Sequence, residues 1–257
     1  MLPKPNSGIR APFLRALLLL TTLVVAPSAP TSAVDRLRAL PAASASPSDP
    51  ALRLSTGTID ANVFGLAFGA ASCAVHAGAV TNPSTLTIID YSKPSTAKRL
   101  WVFDLRTREL LYQELVAHGQ GSGDNFATLF SNEPETHRSS LGLFVTQDTY
   151  TGKNGYSLRL NGLDTGFNDR ARERAIVMHG APYVSAELAR TQGRLGRSWG
   201  CPALSDDIAR TVIGRIKDGG LVFAYYPDQA WLRASKYLGG CTAAHGSTGL
   251  PPPAPQA

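Results

Sequence analysis

No lysine- or arginine-rich block interrupts this sequence, and no run of basic residues is interleaved with aromatics. That absence excludes the usual nucleic-acid footprints. No C-x-x-C or H-x-x-x-H spacing occurs, so nothing resembles a compact zinc knuckle. The glycine-rich stretch His118-Gly-Gln-Gly-Ser-Gly-Asp-Asn125 lacks the lysine of a phosphate loop and the strand–helix setting of a dinucleotide fold. After residue 26 there is no apolar run long enough to cross a bilayer, which takes roughly 20 residues. No internal repeat is visible. Cysteine is scarce, with three in 257 residues.

What is present begins with the amino terminus. Lys4, Arg10 and Arg15 precede the apolar stretch Ala16 to Ala26, and small residues follow up to Ala33. Residues 1–33 therefore read as a secretory signal peptide, with an uncleaved anchor as the alternative. Export to the periplasm or cell envelope is expected, with no stable membrane span once the signal is cleaved. Setting residues 1–33 aside removes three basic residues and no acidic ones. The 25 basic and 19 acidic residues of the chain become 22 and 19. So small an excess gives no reason to expect a nucleic-acid partner. It is compatible with an anionic wall polymer.

Residues 34–51 are rich in Ala, Ser and Pro and read as a disordered linker, and residues 246–257 as a Pro-rich disordered tail. Residues 52–245 form one domain. Its first segment, Asp60 to Ala77, spaces Val63, Leu66, Ala67, Ala70 and Ala74 as a helix does. Strands are expected at Thr85–Asp90, Arg99–Leu105, Leu110–Ala117, Gly142–Thr149, Tyr156–Leu160, Ala175–Met178 and Leu221–Tyr226. Arg106 to Glu109 suits a hairpin turn. A second helix follows Ser205-Asp-Asp-Ile208, with Val212, Ile213 and Ile216 on its apolar face and Gly219-Gly220 at its end. The fold class is α+β, β-rich with flanking helices.

The chemistry concentrates in two places. Cys201 sits in Gly196-Arg-Ser-Trp-Gly-Cys-Pro202, and His179 closes the apolar run Ile176-Val-Met-His179 before Gly180. A thiol and an imidazole on adjoining elements suit nucleophilic acyl transfer. Gly200 allows close backbone approach, and amide N–H groups around Cys201 are candidates for oxyanion stabilisation. The following helix is expected to lower the thiol pKa. The alternative for Cys201 is a small buried hydrophobe, and for His179 a satisfied core histidine. The second ring nitrogen of His179 needs a carboxylate or carbonyl acceptor, for which Asp164 and Asp169 are possibilities. Ser198, Arg197, His118 and Tyr183 are candidate cleft residues. Cys201, His179 and His118 together are the one conceivable zinc set, and neither metal nor other cofactor is expected. Cys73 and Cys241 either pair as a disulfide, leaving Cys201 free, or remain buried thiols.

These residues resemble the active-site signature of the L,D-transpeptidases, the YkuD-type cell-wall enzymes, in their murein L,D-transpeptidase catalytic domain branch. The likeness also includes Ile88-Ile-Asp-Tyr-Ser-Lys93, Val116-Ala-His-Gly119, Phe130-Ser-Asn132, Ser139-Ser-Leu-Gly142 and Tyr156-Ser-Leu-Arg-Leu160, and spans Leu86 to Tyr226. It implies a Cys201 nucleophile and a His179 base acting on peptidoglycan stem peptides. The bond attacked joins a diamino acid to D-Ala, and a thioester then passes to an amine or to water. It also implies covalent inactivation by carbapenems, and the protein is expected to act as a monomer. One departure is Ala203, where familiar members carry arginine; Arg197 is the expected substitute. A papain-like endopeptidase usually orders Cys before His. A sortase expects Thr-Cys at a strand end and a downstream arginine. An L,D-carboxypeptidase and a non-catalytic wall-binding module remain as alternatives.

Overall fold

The computed structural model describes residues 58–239 and 241. The expected signal peptide, linker and tail lie outside the described residues. Asp60 opens the first helix, α1 (Ala61–His76), by accepting from the N–H groups of Asn62 and Val63 at 2.8 and 3.2 Å. Such a cap contributes about 1 kcal/mol. The buried face of α1 carries Val63, Phe64, Ala67, Ala70, Ala71 and Ala74. Its alanines let the helix axis sit close to a sheet, and the Phe64 ring meets the Phe103 ring at 5.2 Å, edge to face.

That sheet has eight strands: β1 (Thr85–Asp90), β2 (Leu100–Asp104), β3 (Leu110–Glu114), β4 (Gly142–Gly152), β5 (Gly155–Gly162), β6 (Val177–Gly180), β7 (Ala203–Leu204) and β8 (Leu221–Tyr225). Their spatial order is β3-β2-β1-β8-β4-β5-β6-β7. The β1–β8 and β6–β7 pairs are parallel and the others antiparallel. Three more helices flank the sheet: α2 (Ala186–Gln192), α3 (Asp206–Ile216) and α4 (Gln229–Ala234). The molecule is thus α+β, as the residue patterns predict.

Every residue of β1 and β2 is buried, so this part of the sheet is covered on both faces. Helix α1 packs on β1 and β8, and α3 on β6, β1 and β5. Ala209, Val212, Ile213 and Ile216 of α3 are buried. Ser205 occupies the cap position of α3, but its hydroxyl makes no capping bond. The strand expected over Leu110–Ala117 ends early, at Glu114. Beyond it, Ala117 pairs with Ala203 and Gly119 with Ser198, so this segment leaves β2 to bind the loop that carries Cys201.

Cys73, in α1, is bonded to Cys241, with Cα atoms 5.2 Å apart across 168 positions of sequence. A cross-link closing so long a loop contributes about 2–5 kcal/mol. It also leaves Cys201 as the free thiol among the described residues.

Candidate active site

The loop before β7 is fixed from two sides. Ala117 N–H donates to Ala203 O at 2.9 Å, Ser198 N–H to His118 O at 3.0 Å, and Gln120 N–H to Ser198 O at 2.8 Å. From the other side, Ser139 Oγ donates to Gly200 O at 3.1 Å and accepts from Gly119 N–H at 3.0 Å. Gly200 has φ of +116°, and a Cβ there would lie 2.9 Å from Arg138 O. Only glycine fits that conformation and that approach without strain.

Cys201 follows, half-buried. Its Sγ accepts from Val177 N–H at 3.5 Å and donates to Ala175 O at 3.8 Å. Ala175 itself takes φ of +51°, a left-handed conformation uncommon for alanine. Burial pushes the thiol pKa upward, and the Val177 N–H and the nearby Arg174 charge only partly oppose it. This corrects the expectation of a helix-activated thiolate. Helix α3 starts at Asp206, five residues beyond the cysteine, where its dipole has little reach.

His179 lies on β6 two residues after Val177, so both side chains share one face of the sheet. The ring is buried, and its Nδ1–H donates to the Gly180 carbonyl at 2.7 Å. That acceptor is a backbone carbonyl, not Asp164 or Asp169. Asp164 accepts from Leu143 N–H and Ser235 Oγ, and Asp169 from Asn132 and Gly166. Burial lowers the His179 pKa, with Gly180 O and Asp206 opposing it. The ring is therefore neutral at pH 7, with Nδ1 occupied and Nε2 left as an acceptor. No hydrogen bond joins it to Cys201 among the described residues, but His179 pairs with Ala203, two residues beyond Cys201.

The other candidates separate by what they hold. Ser198 Oγ donates to Cys201 O at 2.6 Å and accepts from Gly200 N–H at 3.1 Å. Gly200's own amide is thereby occupied, and the structure gives Ser198 a loop-shaping position. Arg197 donates to Gly123 O at 3.0 Å and to Asp124 Oδ1 at 2.8 Å, an ion pair on an exposed carboxylate. Tyr183 packs against Gly196, where a Cβ would come within 2.4 Å of Tyr183 Cβ. Its hydroxyl pKa is pushed up to about 12, by burial first and then by negative charge at Cys201 and Asp206.

His118 is turned inward. Its Nδ1 accepts from Arg99 Nη2 at 2.8 Å, and its Nε2–H points to Gly123 O at 3.4 Å. Burial and then the Arg99 charge lower its pKa to about 4. Both nitrogens are engaged. Arg99, fully buried, also donates to Val116 O at 3.2 and 2.9 Å and to Lys93 O at 2.7 Å.

Arg174 carries no signal in the sequence, because it ends the charged run Asp169-Arg-Ala-Arg-Glu-Arg174 and reads as a solvated residue. The structure instead half-buries it beside the thiol. It donates to Ser131 O and Arg138 O, each at 2.7 Å, and to Ser140 Oγ. None of these acceptors is a carboxylate, so its charge remains available to a thiolate. Among the described residues no three His, Cys, Asp or Glu side chains come together as a metal site, and no helix is long and apolar enough to cross a membrane.

Among solved structures the chain is similar to an L,D-transpeptidase from Mycobacterium smegmatis, at 15% identity and a TM-score of 0.36, covering 57% of this chain and 60% of that one. L,D-transpeptidase 3 from Mycobacterium tuberculosis is 11% identical with a TM-score of 0.37, covering 57% and 63%. An L,D-transpeptidase from Stackebrandtia nassauensis is 12% identical with a TM-score of 0.35, covering 63% and 66%. The chain thus spans about three fifths of the first two relatives' length. No curated protein matches it. The family model of the L,D-transpeptidase catalytic domain matches residues 55–225, and the chain belongs to that family.

Proposed function

We propose that the chain is an exported cysteine acyltransferase acting on peptidoglycan stem peptides, with Cys201 as nucleophile and His179 as general base. The observation that carries this reading is strand β6, where the Val177 N–H meets a free thiol and, two residues along, His179 presents a neutral imidazole with Nδ1 fixed.

Cys201 releases the Ala175 carbonyl and passes its proton to His179 Nε2. The sulfur attacks the carbonyl between the diamino acid and D-Ala. Cys201 N–H donates to the developing oxyanion, since the Gly200 amide already donates to Ser198 Oγ. The carbon–nitrogen bond breaks, the imidazolium protonates the departing amine, and a thioester remains. An amine on a second stem, or water, then loses its proton to His179 and attacks the thioester. The sulfur leaves and is reprotonated. Arg174 stabilises the thiolate, while Arg197, the expected substitute for an arginine at position 203, is committed to Asp124. The same thiol is the site of acylation by carbapenems. Residues 1–33 supply export, and residues 34–51 and 246–257 flank the catalytic domain.

A wall-binding module is the second reading, favoured by the raised thiol pKa, since an inert buried cysteine shows the same shift. The two readings part on the pH dependence of D-Ala release from tetrapeptide muropeptides. The His179 pKa lies below its ordinary 6.5 and the thiol pKa above its ordinary 9.0. A neutral thiol–imidazole pair is the species present between them. The expected kcat/KM profile falls on the acid side below pH 6.5 and is flat from there to pH 9. Absence of release at every pH overturns the enzyme reading.

A further inference from the structure

The backbone of Gly200 and Cys201 is engaged at every polar group but one. Gly200 N–H donates to Ser198 Oγ at 3.1 Å, and Cys201 O accepts from the same hydroxyl at 2.6 Å. Gly200 O accepts from Ser139 Oγ at 3.1 Å. Cys201 N–H makes no hydrogen bond among the described residues. The free N–H and the Gly200 carbonyl belong to one peptide unit. A trans peptide is planar, so its C=O and N–H point in opposite directions and turn together. The hydroxyl that holds Gly200 O therefore sets the direction of Cys201 N–H.

Ser139 is itself fixed on every side. It is 1% exposed. Its N–H donates to Ser122 Oγ at 2.9 Å, and its carbonyl accepts from Ser131 N–H at 3.0 Å. Its hydroxyl accepts from Gly119 N–H at 3.0 Å, which leaves its single proton for Gly200 O. A Cβ at Gly119 would lie 2.8 Å from Gly200 N and Cα, so glycine there lets one hydroxyl bridge both segments. None of these bonds involves the sulfur, whose partners are Val177 N–H and Ala175 O. Ser139 acts on the peptide unit and not on the thiol.

We propose that Ser139 is the positioning residue of the oxyanion site: through Gly200 O, its hydroxyl aims Cys201 N–H at the acyl oxygen. The inference rests on the acyl-transfer reading and adds to it a residue outside the Cys201–His179 pair.

Two reactions of the same thiol separate this role from a structural one. p-Nitrophenyl acetate acylates Cys201 through a tetrahedral oxyanion, and p-nitrophenolate leaves. Iodoacetamide alkylates it by displacement of iodide at a saturated carbon, with no oxyanion. Thiol pKa and access affect both rates and cancel in their ratio. Ser139→Ala, nearly unchanged in volume, is expected to lower the acylation-to-alkylation ratio about ten- to a hundredfold, the scale of a misplaced donor. The same fall is expected in kcat for D-Ala release, with KM unchanged. Ser139→Thr keeps the hydroxyl and should recover most of the ratio. Ser122→Ala removes the acceptor of Ser139 N–H, and should lower Tm while keeping the ratio. An unchanged ratio in Ser139→Ala, an equal fall in Ser122→Ala, or a Ser139→Thr ratio as low as alanine's overturns the positioning role. The ester carries no stem peptide, so D-Ala release by the unaltered chain is scored apart. A Ser139-dependent ratio without D-Ala release keeps the role and overturns stem-peptide transfer. D-Ala release with a Ser139-independent ratio does the reverse.

Discussion

His179→Gln is expected to lower kcat/KM for D-Ala release by about 10²–10⁴-fold, the usual contribution of a positioned general base. It should also abolish the acid limb of the pH profile. The two buried histidines make the prediction specific. His118 has both nitrogens engaged, by Arg99 and by the Gly123 carbonyl, and its pKa near 4 keeps it neutral throughout the working range. His179 has one nitrogen bound to Gly180 O and the other free to take a proton. His118→Gln should therefore change stability while leaving the acid limb in place. Steady-state kinetics across pH on both variants checks this. A His179→Gln enzyme within threefold of the parent would place the base elsewhere.

Arg99→Ala is expected to destabilise the fold by about 3–5 kcal/mol, the sum of a large buried cavity and lost hydrogen bonds. For a domain of this size that is a fall in Tm of roughly 6–20 °C. Burial lowers the Arg99 pKa to about 10, so its charge is held at a cost. What offsets the cost is the set of acceptors it satisfies: Lys93 O, Val116 O and His118 Nδ1. Arg99→Met separates the two contributions, because it restores most of the volume and none of the hydrogen bonds. Val116 and His118 lead directly into the segment that pairs with Ser198 and Ala203. Loosening them should therefore slow Cys201 chemistry as well. Thermal unfolding and thiol alkylation rates check both effects. A loss below 1 kcal/mol would contradict the role given to Arg99.

Much of this fold is legible in the sequence, for physical reasons that also explain the omissions. Helix α1 and strands β1, β2, β4, β5 and β8 bury long regular patterns, so their apolar spacing gives them away. Helix α2 buries no residue, and periodicity has nothing to report there. Strand β7 is two residues long, Ala203 and Leu204, and acquires its identity only by pairing with β6. The β1–β8 pairing joins segments more than 130 positions apart, which no local pattern encodes.

At the site, Cys201 and His179 stand out because their neighbours are glycine, proline and a short apolar run. The surroundings do not. Arg174 is masked by the charged residues before it, and Arg99 reads as the polar start of a strand, while their structural positions depend on loops that close from far along the chain. The pKa of Cys201 departs from expectation for the same reason. Sequence shows that a helix follows, but not how deeply the sulfur is buried or how far the helix begins beyond it.

The central claim is that the Cys201 sulfur carries the acyl group. The most direct measurement is mass spectrometry of the protein and of its Cys201→Ala variant after incubation with tetrapeptide muropeptides. Loss of D-Ala and a thioester-linked adduct on the peptide containing Cys201 are expected, both absent from the variant. Cross-linked products identify a stem amine as acceptor, and tripeptides identify water. Release of D-Ala by the Cys201→Ala protein, or release by the parent protein with its adduct on a residue other than Cys201, would contradict it.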